Sequence, residues 1–196
     1  MQQTVRFMLD QASVDGVIRK VWPAEYSKFR DHLLRLDAES RRLRFCASAN
    51  DAFIDRYCET VRRVPTLVHG FFVEDELRAA AELRPILDGW PVAAEAAFSV
   101  ERDWQDSGIG TELLDRTLRS ARNRGVATLY MVCLRENARM QSVARKFEAE
   151  LHFEHGEIAG TVDAARPDVF SLLREGLEDG SALVTALIEN SFRARA

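Results

Sequence analysis

The stretch from Pro91 to Gly125 does most to limit the fold, because an extended run, a glycine-bearing loop and a helical pattern follow one another in it. Pro91 to Val100 is a run of small and apolar residues broken by a single acid, Glu95, and Val92 to Val100 reads as a strand. Seven residues, Glu101 to Ser107, lead to the pair Gly108-Ile109-Gly110. Gly108 to Arg124 is then an amphipathic helix whose apolar stripe is Leu113, Leu114, Thr117, Leu118 and Ala121. Arg119, Arg122 and Arg124 load its C-terminal end, where the helix dipole favours cations, and Gly125 stops it.

Glycines at the mouth of a helix remove side chains, so unpaired main-chain N–H groups can converge on an anion such as a phosphate or pyrophosphate. A glycine pair alone often does no more than start a helix. The dinucleotide-binding loop is the competing reading, and it fails on three counts. The position of its third glycine is Leu113, the first glycine lies well beyond the strand end, and the next strand, Val126 to Leu134, offers no acid for a ribose.

The rest of the chain supplies the context. Val5 to Leu9 is a short apolar run, Asp15-Gly16 is a turn signal, and Val17 to Val21 reads as a strand. Pro23 suits a first helical position, and Tyr26, Phe29, Leu33, Leu34 and Leu36 keep helical spacing to about Asp37. A second helix is expected from Asp51 to Arg63, with Phe53, Ile54, Tyr57, Cys58 and Val61 on one side and Pro65 ending it. Leu67 to Val73 and Leu77 to Leu83, separated by Glu74-Asp75-Glu76, read as an antiparallel hairpin. After the central helix come a buried strand, Val126 to Leu134, and a helix from Asn137 to about Ala149. Leu151 to Phe153 and Glu157 to Val162 look like a closing pair of strands.

Pro167 to Phe192 is helical by pattern, with Leu173, Leu177, Val184 and Leu187 in phase across Gly176 and Gly180. That face would pack on the domain, break into two helices at Gly180, or offer a homodimer contact. Together the pattern predicts one α+β domain over residues 1–196, with a mixed but mostly antiparallel central sheet flanked by helices. Residues 167–196 form its C-terminal helical extension.

Composition narrows the function classes. With 196 residues, 46% hydrophobic and 30% charged, the chain can bury a core, and a net charge of −4 gives no basic footprint for nucleic acid. No apolar run reaches membrane-spanning length, and Met1-Gln2-Gln3-Thr4 lacks the layout of a signal peptide, so a cytoplasmic protein is expected. Cys46, Cys58 and Cys133 suggest neither a disulfide framework nor a zinc site, and His152 and His155 have no metal-site spacing around them.

The run Ala94 to Val100, then Asp103-Trp104-Gln105 and the two glycines, resembles motif A of the general N-acetyltransferase (GNAT) superfamily, a strand followed by Q/R-x-x-G-x-G/A and a helix. Asn137 matches the asparagine of its motif B, with Ala138 to Phe147 as the helix. Ser40 to Phe45 is similar to a segment of bacterial protein lysine acetyltransferase domains, so the resemblance spans roughly Val17 to Val162.

This resemblance implies acetyl-CoA as co-substrate, with no metal. It places the pyrophosphate on the main-chain N–H groups of Ser107, Gly108, Ile109, Gly110 and Thr111, in the loop that Gln105 opens. Pantetheine would pair with the main chain of Phe98, Ser99 and Val100, and Asn137 would contact the pantetheine arm. The implied reaction is acyl transfer to a primary amine of a small molecule or a protein lysine. A degenerate domain that binds acyl-CoA as a sensor or subunit is the alternative.

N-acylation needs a neutral amine, so a base must take the ammonium proton. Glu95 is the candidate, as an isolated carboxylate among alanines that burial would tune toward a base; binding the substrate amine, or a plain exposed place on the strand, are the alternatives. The N–H near Phe98 or Ser99 would serve as oxyanion donor. Many family members carry a tyrosine where this chain has Ala144, and neither Tyr130 nor Ser142 has a diagnostic spacing to replace it. The proton donor to the leaving thiolate is therefore unassigned by the sequence.

Overall fold

The computed structural model describes residues 4–9, 12–86, 93–154, 157–163 and 172–180. Eight strands form one sheet: β1 (Thr4–Leu9), β2 (Ala12–Lys20), β3 (Leu67–Val73), β4 (Glu76–Ile86), β5 (Ala93–Val100), β6 (Thr128–Leu134), β7 (Glu150–Glu154) and β8 (Glu157–Asp163). Their order is β1-β2-β3-β4-β5-β6-β8-β7, and every neighbouring pair is antiparallel except β5 with β6. That one parallel pair needs a crossover, which α4 (Ile109–Asn123) provides. The expected mixed, mostly antiparallel sheet flanked by helices is what the chain forms.

The helices before the hairpin lie on one face. These are α1 (Tyr26–Arg35), α2 (Ala38–Phe45) and α3 (Asp51–Arg63). Pro23 opens a 3-10 turn ahead of α1, and that turn is held by Glu25, which is buried and takes a two-pronged ion pair from Arg19 at 2.7 and 2.8 Å. Phe29, Leu33, Ile54 and Val61 pack with Val68 and Leu77, each side chain contributing about 1.5–3 kcal/mol by burial. Phe53, expected in the same stripe, is instead exposed and stacks on Tyr57. On the opposite face α4 lays Leu114, Leu118 and Ala121 against Ala94, Ala96 and Leu129.

Three expectations are corrected by tertiary packing. Asp15-Gly16 is not a turn but lies inside β2, paired with Arg6 and Val5. Gly16 is needed there because a Cβ would come within 2.1 Å of the Phe71 ring. Val126 to Leu134 is not buried throughout: β6 alternates, leaving Tyr130 and Val132 exposed. The helix expected from Asn137 is α5 (Ala138–Arg145), capped by the Asn137 side chain and shorter than the pattern implied. By contrast, the hairpin turn is as expected, with Glu74 and Asp75 both at positive φ in the primed geometry that two-residue hairpins favour.

A sixth helix, α6, covers residues 172–180. It docks by charge on the C-terminal half of α4: Glu175 accepts from Ser120 and Arg124, and Glu178 accepts from Arg119. Among the described residues, the part of the predicted apolar face that is seen makes no packing contact: Leu173 and Leu177 are exposed, and no described group lies within 4 Å of a Cβ placed on Gly176. Val184 and Leu187 lie outside the described residues.

Two imidazoles make the fold sensitive to acid. His69 on β3 is fully buried against Ser120 at 3.0 Å, and burial, aided by the Arg116 charge, pushes it down to about 3. Burial also lowers His32 from its ordinary 6.5. Each resists protonation when folded but takes a proton near 6.5 when unfolded, so unfolding consumes protons below that pH. Stability is therefore expected to fall by about 2 kcal/mol through His69 between pH 7 and pH 5, and His32 acts in the same direction. Urea denaturation across this range checks it; an unchanged midpoint would contradict the burial of both rings in neutral form.

Candidate active site

The parallel pairing of β5 with β6 covers only Ala93–Glu95 with Thr128–Tyr130. Beyond it the strands part, so the main chain of β5 from Ala96 to Val100 meets no strand on that edge among the described residues. The gap widens into a cleft of about 460 Å³ floored by Phe98, Ser99 and Val100. Ser40, Leu43 and Arg44 of α2 wall one side, and Asn137 to Met140 with Ser142, Val143 and Lys146 wall the other. The loop Trp104 to Thr111 closes the end.

That end is built to receive an anion. Gly108 caps α4 at φ 91°, a left-handed conformation that suits glycine and lets the chain turn straight into the helix. No side chain caps this terminus. Thr111 and Glu112 donate their N–H groups to the Gly108 carbonyl, whereas those of Gly108, Ile109 and Gly110 have no main-chain partner among the described residues. The Thr111 N–H, expected among the anion donors, is thus already committed. Arg139 and Lys146 stand at the mouth, Arg139 paired with Asp106 at 2.9 Å and Lys146 3.4 Å from the Thr111 hydroxyl.

Gln105 works as a staple. Its Nε2 donates to the Val100 carbonyl at 3.0 Å and to Ser40 Oγ at 3.2 Å, tying the loop to β5 and α2. Asn137 spends its side-chain oxygen on the Met140 N–H at 3.1 Å, capping α5 at the wall of the cleft. The structure thus brings together Phe98, Ser99, Val100, Gln105, Ser107, Gly108, Ile109, Gly110, Thr111 and Asn137 around one cavity. Glu95 is not among its lining residues. It sits where β5 and β6 still pair, opposite Arg84 on β4 and Tyr130 on β6, and it is exposed, so the burial expected to tune it is not there. By strand alternation it shares a face with Ser99, about 13 Å farther along.

Two networks that sequence reasoning missed line this same face. The buried Glu82 is ion-paired with Arg44 and accepts from the Tyr57 hydroxyl at 2.6 Å, while Tyr57 accepts from Arg44 at 2.7 Å and Arg84 at 2.8 Å. Burial and the Glu82 charge push the Tyr57 hydroxyl up, keeping it protonated. Arg44 is held cationic because the Glu82 carboxylate and Tyr57 outweigh the cost of burial. The one available signal was Glu82 itself, the lone acid in the alanine-rich run Leu77 to Leu83, as Glu95 is in its own run.

The second network joins α1 to the end of β5. His32, fully buried, lies 2.9 Å from Ser99 Oγ through Nε2 and 3.1 Å from Glu101 through Nδ1. Arg35 and Arg78 donate to Glu101 at 2.9 and 3.2 Å. Burial acts to raise the Glu101 carboxyl, but the His32 hydrogen bond and the Arg35 charge outweigh it and hold it below its ordinary range.

Ala144 packs in the core against α4 and β6, so no side chain reaches the cleft from the position where the resemblance would have a tyrosine. Among the described residues, no group of His, Cys, Asp and Glu could hold a metal ion, and no helix is long and apolar enough to cross a membrane. None of the three cysteines is in a disulfide, and Cys58 and Cys133 are buried.

The comparisons agree with this geometry. No curated protein matches the chain. The fold is similar to the GNAT domain of S. lividans PAT, with a TM-score of 0.67 at 20% identity, covering 83% of this chain and 96% of that one. It is also similar to the Escherichia coli ribosomal-protein-S18-alanine N-acetyltransferase (TM-score 0.61, 15% identity, 79% and 97% covered). A third likeness is yncA from Salmonella typhimurium, solved with its cofactor acetyl-CoA (TM-score 0.57, 16% identity, 79% and 98% covered). The model of the acetyltransferase (GNAT) family matches residues 30–148, more than half of the chain. With that match and this architecture, the chain belongs to the acetyltransferase (GNAT) family.

Proposed function

We propose that the chain transfers an acetyl or related acyl group from acyl-CoA to a primary amine, by direct attack of the amine on the thioester. The observation that carries this reading is the parting of β5 from β6 directly above the open N-terminus of α4. A pyrophosphate would meet the N–H groups of Gly108, Ile109 and Gly110 there, and Arg139 and Lys146 would add positive charge at the mouth. A pantetheine arm would then run along Phe98, Ser99 and Val100, passing Asn137, and bring the thioester toward Glu95 and the Tyr57–Arg44 network. In this reading Glu95 takes the proton of the incoming ammonium, and an N–H near Phe98 or Ser99 faces the developing oxyanion. The acceptor is a protein lysine or a small metabolite amine.

A second reading is an acyl-CoA-binding sensor without turnover, and the core packing of Ala144 favours it. Thiol release from acetyl-CoA with a panel of amines separates the two. Acyl transfer predicts release that depends on the amine and saturates with it. Tight CoA binding with no amine-dependent release would leave only the sensor.

A further inference from the structure

Collapse of the tetrahedral intermediate leaves a proton on nitrogen and needs one on sulfur. Of the three residues that floor the cleft, Ser99 is the one with a hydroxyl, and it is not an isolated serine. Its oxygen is 2.9 Å from His32 Nε2, whose Nδ1 is 3.1 Å from Glu101. Glu101 is fixed from its other side by Arg35 and Arg78. The hydrogen bonds assign the tautomer: an anionic Glu101 can only accept, so Nδ1 carries the hydrogen and Nε2 is left to accept from the Ser99 hydroxyl. The lone pairs of Ser99 Oγ then remain for a donor in the cleft.

We propose that Ser99 conducts the proton from the attacking nitrogen to the leaving sulfur, with His32 and Glu101 as positioning residues that hold it in transit. This inference rests on the acyl-transfer reading. As the C–N bond forms and the C–S bond breaks, the nitrogen proton passes to Ser99 Oγ while the Ser99 proton passes to His32 Nε2. The reverse hop delivers one proton to the thiolate, so the free thiol and the amide leave and all three residues are restored.

Three observations favour a conduit over a simple tie between α1 and β5. The chain of groups is continuous from a fully buried ring to a residue on the cleft floor. Glu101 is positioned to pair with an imidazolium, and that charge is sheltered rather than stable, because burial holds the His32 pKa low. The ring therefore returns what it accepts. Ser99 also sits in mid-strand, paired with Ala80 of β4, and only 6% of it is exposed. Such a hydroxyl can hop a proton but lacks the sharp strand-to-helix turn that presents a serine nucleophile.

The test is steady-state kinetics with acetyl-CoA and an amine accepted by the wild-type protein, on Ser99→Ala, Ser99→Thr, His32→Gln and the Ser99→Ala/His32→Gln double variant. Ser99→Ala is expected to lower kcat about 100-fold, leaving the KM for acetyl-CoA unchanged, and Ser99→Thr to recover most of the loss. The double variant should be no slower than Ser99→Ala alone, because His32 acts only through Ser99. CoA affinity, measured by calorimetry, reports that each variant is folded. A wild-type kcat in Ser99→Ala overturns the conduit while leaving acyl transfer standing, as does multiplication of the two single losses. An acyl group found on Ser99 by mass spectrometry after mixing with acetyl-CoA alone overturns it in favour of a covalent route. Absence of amine-dependent turnover in the wild type removes both readings.

Discussion

Glu95→Gln is expected to lower kcat by about 10²–10⁴-fold and to leave the affinity for acetyl-CoA unchanged. The substitution keeps size and hydrogen bonding but removes the ability to take a proton from an ammonium. Glu95 is exposed and outside the cleft lining, so neither the fold nor the CoA loop depends on it, and stability should move by no more than about 0.5 kcal/mol. Its position on the strand explains why it can still be the base. It lies on the face of β5 shared with Ser99 and opposite Arg84, about 13 Å along the strand, so an ammonium entering toward a thioester held over Phe98 and Ser99 passes Glu95 and gives up its proton there first. Occupation of the cleft would exclude water from the carboxylate that the free chain leaves solvated. Steady-state rates over a range of pH check this. A Glu95→Gln protein with wild-type kcat at every pH would contradict the assignment.

Glu82→Leu is expected to destabilise the fold by about 3–5 kcal/mol, because it leaves the buried Arg44 guanidinium without its counter-charge. The side chains of Arg44 and Glu82 are 7% and 2% exposed, so water cannot replace the lost carboxylate. The Tyr57 hydroxyl would also lose its acceptor, and the hydrogen bonds it receives from Arg44 and Arg84 would have to rearrange. For a chain of this size the loss corresponds to a melting temperature lower by roughly 10–15 °C. Glu82→Gln, which keeps an acceptor but not the charge, should fall between the two. Thermal unfolding of the three proteins measures the series, and equal melting temperatures would mean that the network carries no net stabilisation.

Much of the scaffold was legible because its signals are local. The helix read from Asp51 to Arg63, with Pro65 ending it, is α3 at those bounds, and the structure adds the Asn50 side chain as its cap. The stripe of α4 is buried at every position read from its period. Where the sequence misled, the cause was tertiary. Asp15-Gly16 has the form of a turn, yet Gly16 is small because the Phe71 ring crosses it. The helix α2 went unread because Leu43 and Phe45, its two large apolar residues, are only half-buried and make no stripe; it stands on the Asp37 side chain, which accepts from the Ser40 N–H at 2.9 Å.

The same division runs through the site. The loop from Gln105 to Gly110 could be picked out because its spacing is local, although the staple role of Gln105 could not, since Ser40 lies far away in the chain. Glu95 was singled out by composition, but whether it is buried depends on how β5 meets β4 and β6. The networks around His32 and Glu82 join residues from different helices and strands, and no periodicity in one segment encodes such a meeting.

The most direct measurement of the central claim is the stoichiometry of products, with thiol followed in solution and the acceptor followed by mass spectrometry in the same reaction. Acyl transfer through this cleft predicts one acylated amine for each free CoA thiol formed, at a rate that vanishes without the amine. Thiol formed without acylated amine, or at the same rate when the amine is left out, would contradict it.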